Sequence, residues 1–474
     1  MRVMSAAEIA GATGGIWRHP DGAERLPDGR EFAAASVSTD SRNIPSAGDG
    51  GYGCLFVALT GEKFDGHDYL ESALDSGAAG CLCARLPETL RPDRFYIQVP
   101  DTRLALGRLA AAYRREFSIP FVQITGSVGK TTTKEMLSAV LGEKLRVLKT
   151  EGNFNNDIGV PLTLLRVEKD HEAAVIETGM NHAGEISYLG SLVRPDIAVI
   201  TNIGDAHREN LGSREGILKA KCEIFDHLKA DGLAVLNGDD KLLRGVEIPF
   251  RTVRCGYLED CAVRIVDFFD RSVAGIACTI RTERDTYTIE IPSPGAYMVY
   301  PAAMAVAVGE ALGLNREEII RGAASYAPTG SRMRVLHLRD GRILLDDCYN
   351  ANPQSVTAAL EVLSRTECGK RVAVLGDMGE LGGYAEKAHY NIGALTAMLG
   401  IDLVIAIGEC AAGIAEGAEQ NGGEAYHFPT KEAAMEELKH QFDPDSAMLV
   451  KASHAMRFEE IVRALRTEYG VRAT

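Results

Sequence analysis

The sequence predicts an α/β protein of three domains: a central P-loop-type domain with a mostly parallel sheet, a C-terminal Rossmann-like domain and a smaller N-terminal α/β domain. Three observations carry this reading. The chain has 474 residues, more than one hydrophobic core organises at roughly 100 to 200 residues per domain. Two separate series of short apolar runs, each closed by polar residues or glycine and each followed by a helical pattern, read as buried parallel strands. One of those runs leads directly into a Gly-Ser loop that ends in Lys-Thr.

Residues 1–100 form the first expected unit, with strand-like and helical pieces in "CLFVALTG" and "YLESALDSGAAGCLCA" and a surface loop at "SAGDGGYG". The unit 101–327 opens on a helix-like stretch, "TRLALGRLAAAYRREF", and continues with the apolar runs "FVQIT", "AAVIET", "IAVIT" and "GLAVLN". Between 248 and 292 the pattern changes to alternation, as in "DTYTIEI", which predicts an antiparallel excursion. The unit 328–474 repeats the strand-helix rhythm with "RILLDD", "RVAVLG", "DLVIAIG" and "AMLVKAS" but contains no GxGxxG. No internal repeat or low-complexity tract occurs.

Hydrophobic residues make up 46% of the chain and charged residues 25%, and no stretch approaches the ~18 uninterrupted apolar residues of a membrane span. The opening "MRVMSAAEIAGATGG" lacks the apolar core of a secretory signal, so a cytoplasmic protein is expected. A net charge of -15 excludes broad nucleic-acid binding, which needs a basic surface. The ten cysteines show neither CxxC nor zinc spacing, consistent with reduced thiols. Cys81 and Cys83 form a CxC that reads as alternating burial along a strand.

The loop Gly126, Ser127, Val128, Gly129, Lys130, Thr131 lies after "FVQIT" and before a helix whose Met136, Leu137, Val140 and Leu141 share a face. That is the context a phosphate loop needs. Loop and helix N–H groups meet phosphate oxygens, Lys130 adds a point charge, and Thr131 can ligate magnesium. Ile124 stands where the longer GxxxxGK[ST] pattern has its first glycine, so this is a shortened GxxGKT loop. No NKxD guanine-specificity motif occurs, which favours ATP over GTP.

Downstream, Glu177 ends "AAVIE", where a carboxylate can hold the nucleotide's magnesium or simply face solvent. His207, in "TNIGDAHREN", follows another strand at the sheet edge that carries ligands. Lys221, in "ILKAKCEIF", would by itself be surface charge. Spacing alone does not join these three.

A resemblance does. "GSVGKTTT", "VIETG", "TNIGDAH" and "KAKCEI", in that order, resemble the marks of the Mur ligases, ATP-dependent amide-bond-forming enzymes of peptidoglycan synthesis. "STDSR", "LFVALTGEKFDGHDYL", "EGNFNNDIGVPLTLL", "DDCYNANPQS" and "VLGDMGELG" are similar to the branch that adds D-alanyl-D-alanine to a UDP-N-acetylmuramoyl tripeptide, and the likeness runs from about 37 to 462. No DNPR-type motif of the diaminopimelate-adding branch is present.

The resemblance implies ATP and two magnesium ions. Gly126 to Thr131 and Thr132, with Asn156, would hold the nucleotide. Thr131 and Glu177 would ligate one ion; His207 and Lys221, the latter as a carbamylated lysine, would hold the second. Lys130, Glu177, His207 and Lys221 would carry the catalysis. Arg332 and Asp347 would reach the nucleotide from the C-terminal domain. Asn153 and Asn155 would sit at the acceptor junction, Tyr349, Asn350 and Asn352 would shape the D-alanyl-D-alanine side, and Ser41, Arg42, Asp65 and His67 the uridine diphosphate end. A monomer is expected.

The chain departs from the family at "GAYMVYPAA", where Tyr297 replaces a histidine and Pro301 an asparagine of the adenine-side motif. It departs again at "KASHAMRFEE", with Ala452 and His454 in place of glycine and arginine. Two other readings stand beside the main one: another Mur-type ligase, disfavoured by "YNANP", and a catalytically silent nucleotide-binding homologue, motivated by Tyr297 and Pro301.

Overall fold

The structure is a computed structural model and describes every residue except 24, 27, 48–50, 206, 207, 473 and 474. The middle of the "SAGDGGYG" insert and His207 therefore lie outside the described residues. Among the described residues no helix is long and apolar enough to cross a membrane.

Three larger sheets organise the chain. The N-terminal one runs Ile16–Arg18, Phe95–Gln98, Gly80–Cys83, Cys54–Val57, Ser36–Ser38, with only the first pair antiparallel. Both of its faces are buried. Cys81 and Cys83 pack with Phe56, Leu70 and Tyr96 on one side, and Leu82 packs with Leu55, Ile97 and Leu106 on the other. The alternation expected at the CxC thus separates two cores, because a parallel sheet is covered on each face by helices.

The central sheet has nine strands, ordered Thr286–Ile291, Ile276–Arg281, Val263–Asp270, Arg251–Gly256, Leu233–Asn237, Ile197–Ile200, Phe121–Thr125, Ala173–Glu177, Val147–Lys149. The first two pairings are antiparallel and the rest parallel, so the antiparallel excursion expected between 248 and 292 is confined to the strands from Val263 on, and Arg251–Gly256 is parallel to both its neighbours. Val147–Lys149, a three-residue edge strand, is too short to show in the pattern. The helix Lys130–Gly142 buries Met136, Leu137, Val140 and Leu141 completely, each burial stabilising by about 1.5–3 kcal/mol. Against it lies Val299–Ala311, buried on nearly every side. Gly322 lets a third helix, Arg316–Ala324, close in, since a Cβ there would come within 2.4 Å of Val140 Cα. The helix that follows the phosphate loop is thereby pinned on two sides.

The C-terminal sheet is Arg334–His337, Ile343–Asp346, Ser446–Lys451, Lys370–Gly376, Leu403–Ile407, Ala425–Phe428, antiparallel only in the first pair. All four runs named from the sequence are strands in it.

Candidate active site

The phosphate loop joins Phe121–Thr125 to Lys130–Gly142. Gly126 must be glycine, for a Cβ there would lie 1.9 Å from Thr201 Oγ1, and Gly129 enters the helix at φ 79, in the left-handed region. The loop is sewn to the segment after the next strand. Val128 N donates to Asn202 Oδ1 at 3.0 Å, while Thr201 Oγ1 and Asn202 Nδ2 both donate to Val128 O, at 2.6 and 3.0 Å. Ser127 N donates to Asn202 O at 3.1 Å, and Gly204 N to Ser127 Oγ at 2.8 Å.

The expected set of phosphate-facing amides is thereby narrowed: those of Ser127 and Val128 are spent on Asn202. The amides of Gly129, Lys130, Thr131 and Thr132 find no acceptor among the described residues, as the first turn of a helix dictates. Four free amides with the positive helix end behind them are a geometry able to receive an anion. Lys130 arches over them, Nζ donating to Gly126 O at 2.8 Å. Burial lowers its pKa below the ordinary lysine value, and the Glu177 carboxylate partly offsets this.

Glu177 is buried at the strand end. Its Oε2 accepts from Thr131 Oγ1 at 2.8 Å and its Oε1 from Asn155 Nδ2 at 2.9 Å. Lys134, wholly buried, donates to Thr150 O at 2.7 Å and stands 3.0 Å from Glu135 and 3.9 Å from Glu177. Thr150 Oγ1 in turn accepts from Glu177 N at 3.0 Å. The Thr131 hydroxyl and the Glu177 carboxylate are hard oxygen donors side by side, the donor set a magnesium ion takes.

The C-terminal domain closes the other side. The Arg332 guanidinium lies 4.0 Å from the centre of the Tyr349 ring. Asp347 accepts from Met333 N at 2.9 Å and from Lys451 Nζ at 2.6 Å, and Lys451 also donates to Asn350 O at 2.9 Å. Asn352 spends its Oδ1 on Ser355 N, capping the helix Pro353–Ser364. Asn156 likewise accepts from Gly159 N at 2.9 Å.

Between the two halves lies a cavity of about 680 Å³. Of the predicted residues, Ser127 to Thr132, Asn153, Asn155, Asn156, Glu177, Arg332, Asp347, Tyr349, Asn350 and Asn352 line it. Gly126 supports the loop from behind. Lys221 is buried at the end of Arg214–Cys222, outside the lining. Burial drives its amine well below the ordinary lysine value and the charge of Lys130 drives it further.

The four N-terminal predictions also stand outside the lining. Arg42 is exposed and folds onto Asp40 through bonds of 2.9 and 2.8 Å, with Ser41 in the same turn. His67 Nε2 accepts from Ala84 N at 2.8 Å, so Nδ1 carries the proton and donates to Asp65 Oδ1 at 2.6 Å. The His67 N–H and ring hold the Asp65 carboxyl down at about 2. Both ring nitrogens are therefore committed to a corner of the N-terminal sheet.

Sequence reasoning missed Lys451, Asn202, Lys134 and Tyr326. A lysine that closes the apolar run "AMLV", and an asparagine directly after "IAVIT", are the signals that could have found the first two. Tyr326 is tied to Thr132, and burial pushes its hydroxyl up to about 12.

A shortened phosphate loop, a buried carboxylate beside its threonine and a Rossmann-like domain supplying Arg332 and Lys451 across the cleft define a nucleotide-dependent enzyme assembled from separate domains. Three family models match in succession: "Mur ligase family, catalytic domain" over 35–114, "Mur ligase middle domain" over 124–309 and "Mur ligase, glutamate ligase domain" over 331–454. The UDP-N-acetylmuramoyl-tripeptide--D-alanyl-D-alanine ligase of Bacillus subtilis is 38% identical over 443 residues, covering 93% of this chain and 94% of the relative. That of Escherichia coli is 37% identical over 444 residues, with 92% and 95% covered. Among solved structures, MurF from Acinetobacter baumannii superposes with a TM-score of 0.88 at 33% identity over 98% of this chain and 99% of that one. MurF ligase from Thermotoga maritima in complex with ADP gives 0.80 at 30% identity, over 91% and 97%. The chain belongs to the Mur ligase family, and within it groups with the UDP-N-acetylmuramoyl-tripeptide--D-alanyl-D-alanine ligases.

Proposed function

We propose that the chain is an ATP-dependent ligase that joins D-alanyl-D-alanine to a UDP-N-acetylmuramoyl tripeptide. One observation carries the reading: four unpartnered amides and the Thr131–Glu177 pair face Arg332 and the Lys451–Asp347 pair across a single cavity. A carboxylate is a poor electrophile. Its oxygen therefore attacks the γ-phosphorus of ATP, the bond to the bridging oxygen breaks, and ADP leaves. The dipeptide amine then attacks the acyl carbon of the acyl phosphate, the carbon–oxygen bond breaks, and phosphate departs as the amine gives up a proton.

Each step gathers anions, so positioning and fixed positive charge dominate the catalysis. Lys130 and the amides Gly129 to Thr132 orient the phosphates, and Arg332 covers them from the other domain. The Thr131 and Glu177 oxygens would hold magnesium, which supplies charge neutralisation when bound. Asn155, fixed on Glu177, places the acceptor side beside the phosphate side. Closure between the domains excludes water that would hydrolyse the acyl phosphate.

Lys221 suits the carbamate role. Its amine is buried, held towards the neutral, nucleophilic form, and has no acidic partner among the described residues. Attack on carbon dioxide forms an N–C bond, releases a proton and converts a buried cation site into an oxygen donor; with His207 it would hold the second ion. Residues 1–100, 101–327 and 328–474 are the three working domains, and Ser41, Arg42, Asp65 and His67 mark the uridine end of the first. One chain supplies every group named, so the working unit is a monomer, in the cytoplasm with its ATP.

The test is phosphate release with tripeptides bearing diaminopimelate or lysine, each with and without D-alanyl-D-alanine, and product masses recorded. Release that needs both substrates, yields a pentapeptide mass and vanishes in Lys130→Ala supports the reading. Release without either substrate, or near-normal ligation by Lys130→Ala, overturns it.

A further inference from the structure

Arg332 faces the phosphate loop from the C-terminal domain, and after burial its charge is what holds the Lys130 amine below the ordinary lysine value. A long side chain keeps such a place only if the backbone beneath it is fixed. That backbone is part of residues 325–333, which leave the helix Arg316–Ala324 and belong to no helix or strand.

Two side-chain rungs fix this linker to the helix that follows the phosphate loop. Tyr326 meets Thr132 through its hydroxyl, and Thr329 Oγ1 donates to Glu135 Oε1 at 3.3 Å. Thr132 and Glu135 are three residues apart on Lys130–Gly142 and so share a face. The first rung ends on a residue whose amide is one of the four left free. Beyond the second rung the chain changes domain within one residue. Gly330 turns at φ 61, after which Ser331 O accepts from Tyr349 N at 3.1 Å and Met333 N donates to Asp347 Oδ1 at 2.9 Å. Met333 is itself held in the left-handed region, at φ 51, where a non-glycine residue is uncommon. Arg332 therefore lies three residues, at most about 11 Å of chain, from its last anchor on the central domain.

Glu135 is buried, and it holds more than Thr329. The same Oε1 stands 3.0 Å from Lys134 Nζ, while Oε2 pairs with Lys149 on the edge strand. Lys134 stands 3.9 Å from Glu177 Oε2, the oxygen that accepts from Thr131. A carboxylate gripped by two lysines is not free to follow the linker, so the linker is set by the carboxylate. We propose that Glu135 is a positioning residue for ligation: through Thr329 it sets the backbone that carries Arg332, and through Lys134 it ties that setting to the Glu177 end of the phosphate site. The inference rests on the ligase reading and adds to it a residue that acts only through others.

The experiment is a double-mutant cycle in the phosphate-release assay of ligation. Thr329 is exposed, so Thr329→Val removes the hydroxyl without opening a core. Its kcat should fall by about tenfold, since a misplacement of about 1 Å costs up to about 10²-fold. Calorimetric affinity for ADP should stay within about threefold, because Lys130 and the four amides are untouched. Thr329→Ser keeps the hydroxyl and should stay within about twofold of the parent kcat. If the rung acts through Arg332, Thr329→Val costs less than about twofold once Arg332 is alanine. Glu135→Gln, which loses both ion pairs, should show the same dependence on Arg332.

A Thr329→Val enzyme within about twofold of the parent, or a cost that persists undiminished in the Arg332→Ala background, overturns the proposal and leaves the ligase reading intact. Phosphate release by the parent that needs neither tripeptide nor dipeptide would instead overturn the ligase reading.

Discussion

Lys221→Met is expected to remove ligation while making the fold more stable. The side chain is 1% exposed, on the helix that also buries Ile217 and Ala220, and no acid among the described residues offsets the lowering of its pKa. Methionine nearly matches lysine in volume and carries no polar head. Replacing a buried charged or polar group by an apolar one of similar size gains about 1–3 kcal/mol. For a domain of this size that raises the melting temperature by roughly 3–10 °C. Loss of a charge-stabilising group in the site costs about 3–4 kcal/mol in the transition state or more, a rate fall of at least about 10². Differential scanning calorimetry in carbon dioxide-depleted, metal-free buffer reads the first effect and phosphate release the second.

The sign with pH is fixed. The folded amine has a pKa below the ordinary 10.5, so between the two values the unfolded chain binds more protons and stability rises with pH. That slope should flatten in the methionine variant. A lowered melting temperature in that buffer, or ligation within tenfold of the parent rate, would refute the reasoning.

Three further outcomes are expected. Lys451→Met leaves Asp347 without its buried cation and should destabilise the C-terminal domain by about 3 kcal/mol, read by urea denaturation, with ligation falling as well. Asn202→Ala removes the two Asn202 side-chain bonds to Val128, leaving that from Thr201, and should raise the KM for ATP by about tenfold with a smaller effect on kcat, measured by steady-state kinetics. Asp65 is held at about 2 against an ordinary 3.8, so its contribution to stability is present above 3.8 and lost as pH falls towards 2. Asp65→Asn should abolish that part of the acid transition in near-ultraviolet circular dichroism, and an unchanged transition would count against the His67 account.

Lys130, Thr131 and Glu177 were legible because their meaning is local: a strand, a glycine turn and a helix N-terminus occupy consecutive residues, and Glu177 ends a strand that pairs with the same one. Arg332 and Asp347 were legible through resemblance alone, since nothing in "GSRM" or "DDCYNANP" announces a phosphate. Lys451 and Lys134 escaped because a lysine reads as surface unless its carboxylate partner is known, and those partners lie at distant positions in the chain or behind a buried face.

The apolar runs determined the strands and their order along the chain, since a fully buried parallel strand needs four to six apolar residues whatever surrounds it. The glycines determined the loop, because no other residue fits against Thr201 or enters the helix from the left-handed region at low cost. Tertiary structure decided the rest. Asn202 takes the N–H groups of Ser127 and Val128 and thereby leaves four amides for phosphate, a division that depends on a strand joined about seventy residues away. Lys221 becomes a weakly basic amine only by burial, and Lys451 a site residue only when the strand beside it brings Asp347 within 2.6 Å. Local chemistry sets what a residue can do, and long-range packing sets its dielectric and its partners, which is where the function of this chain is decided.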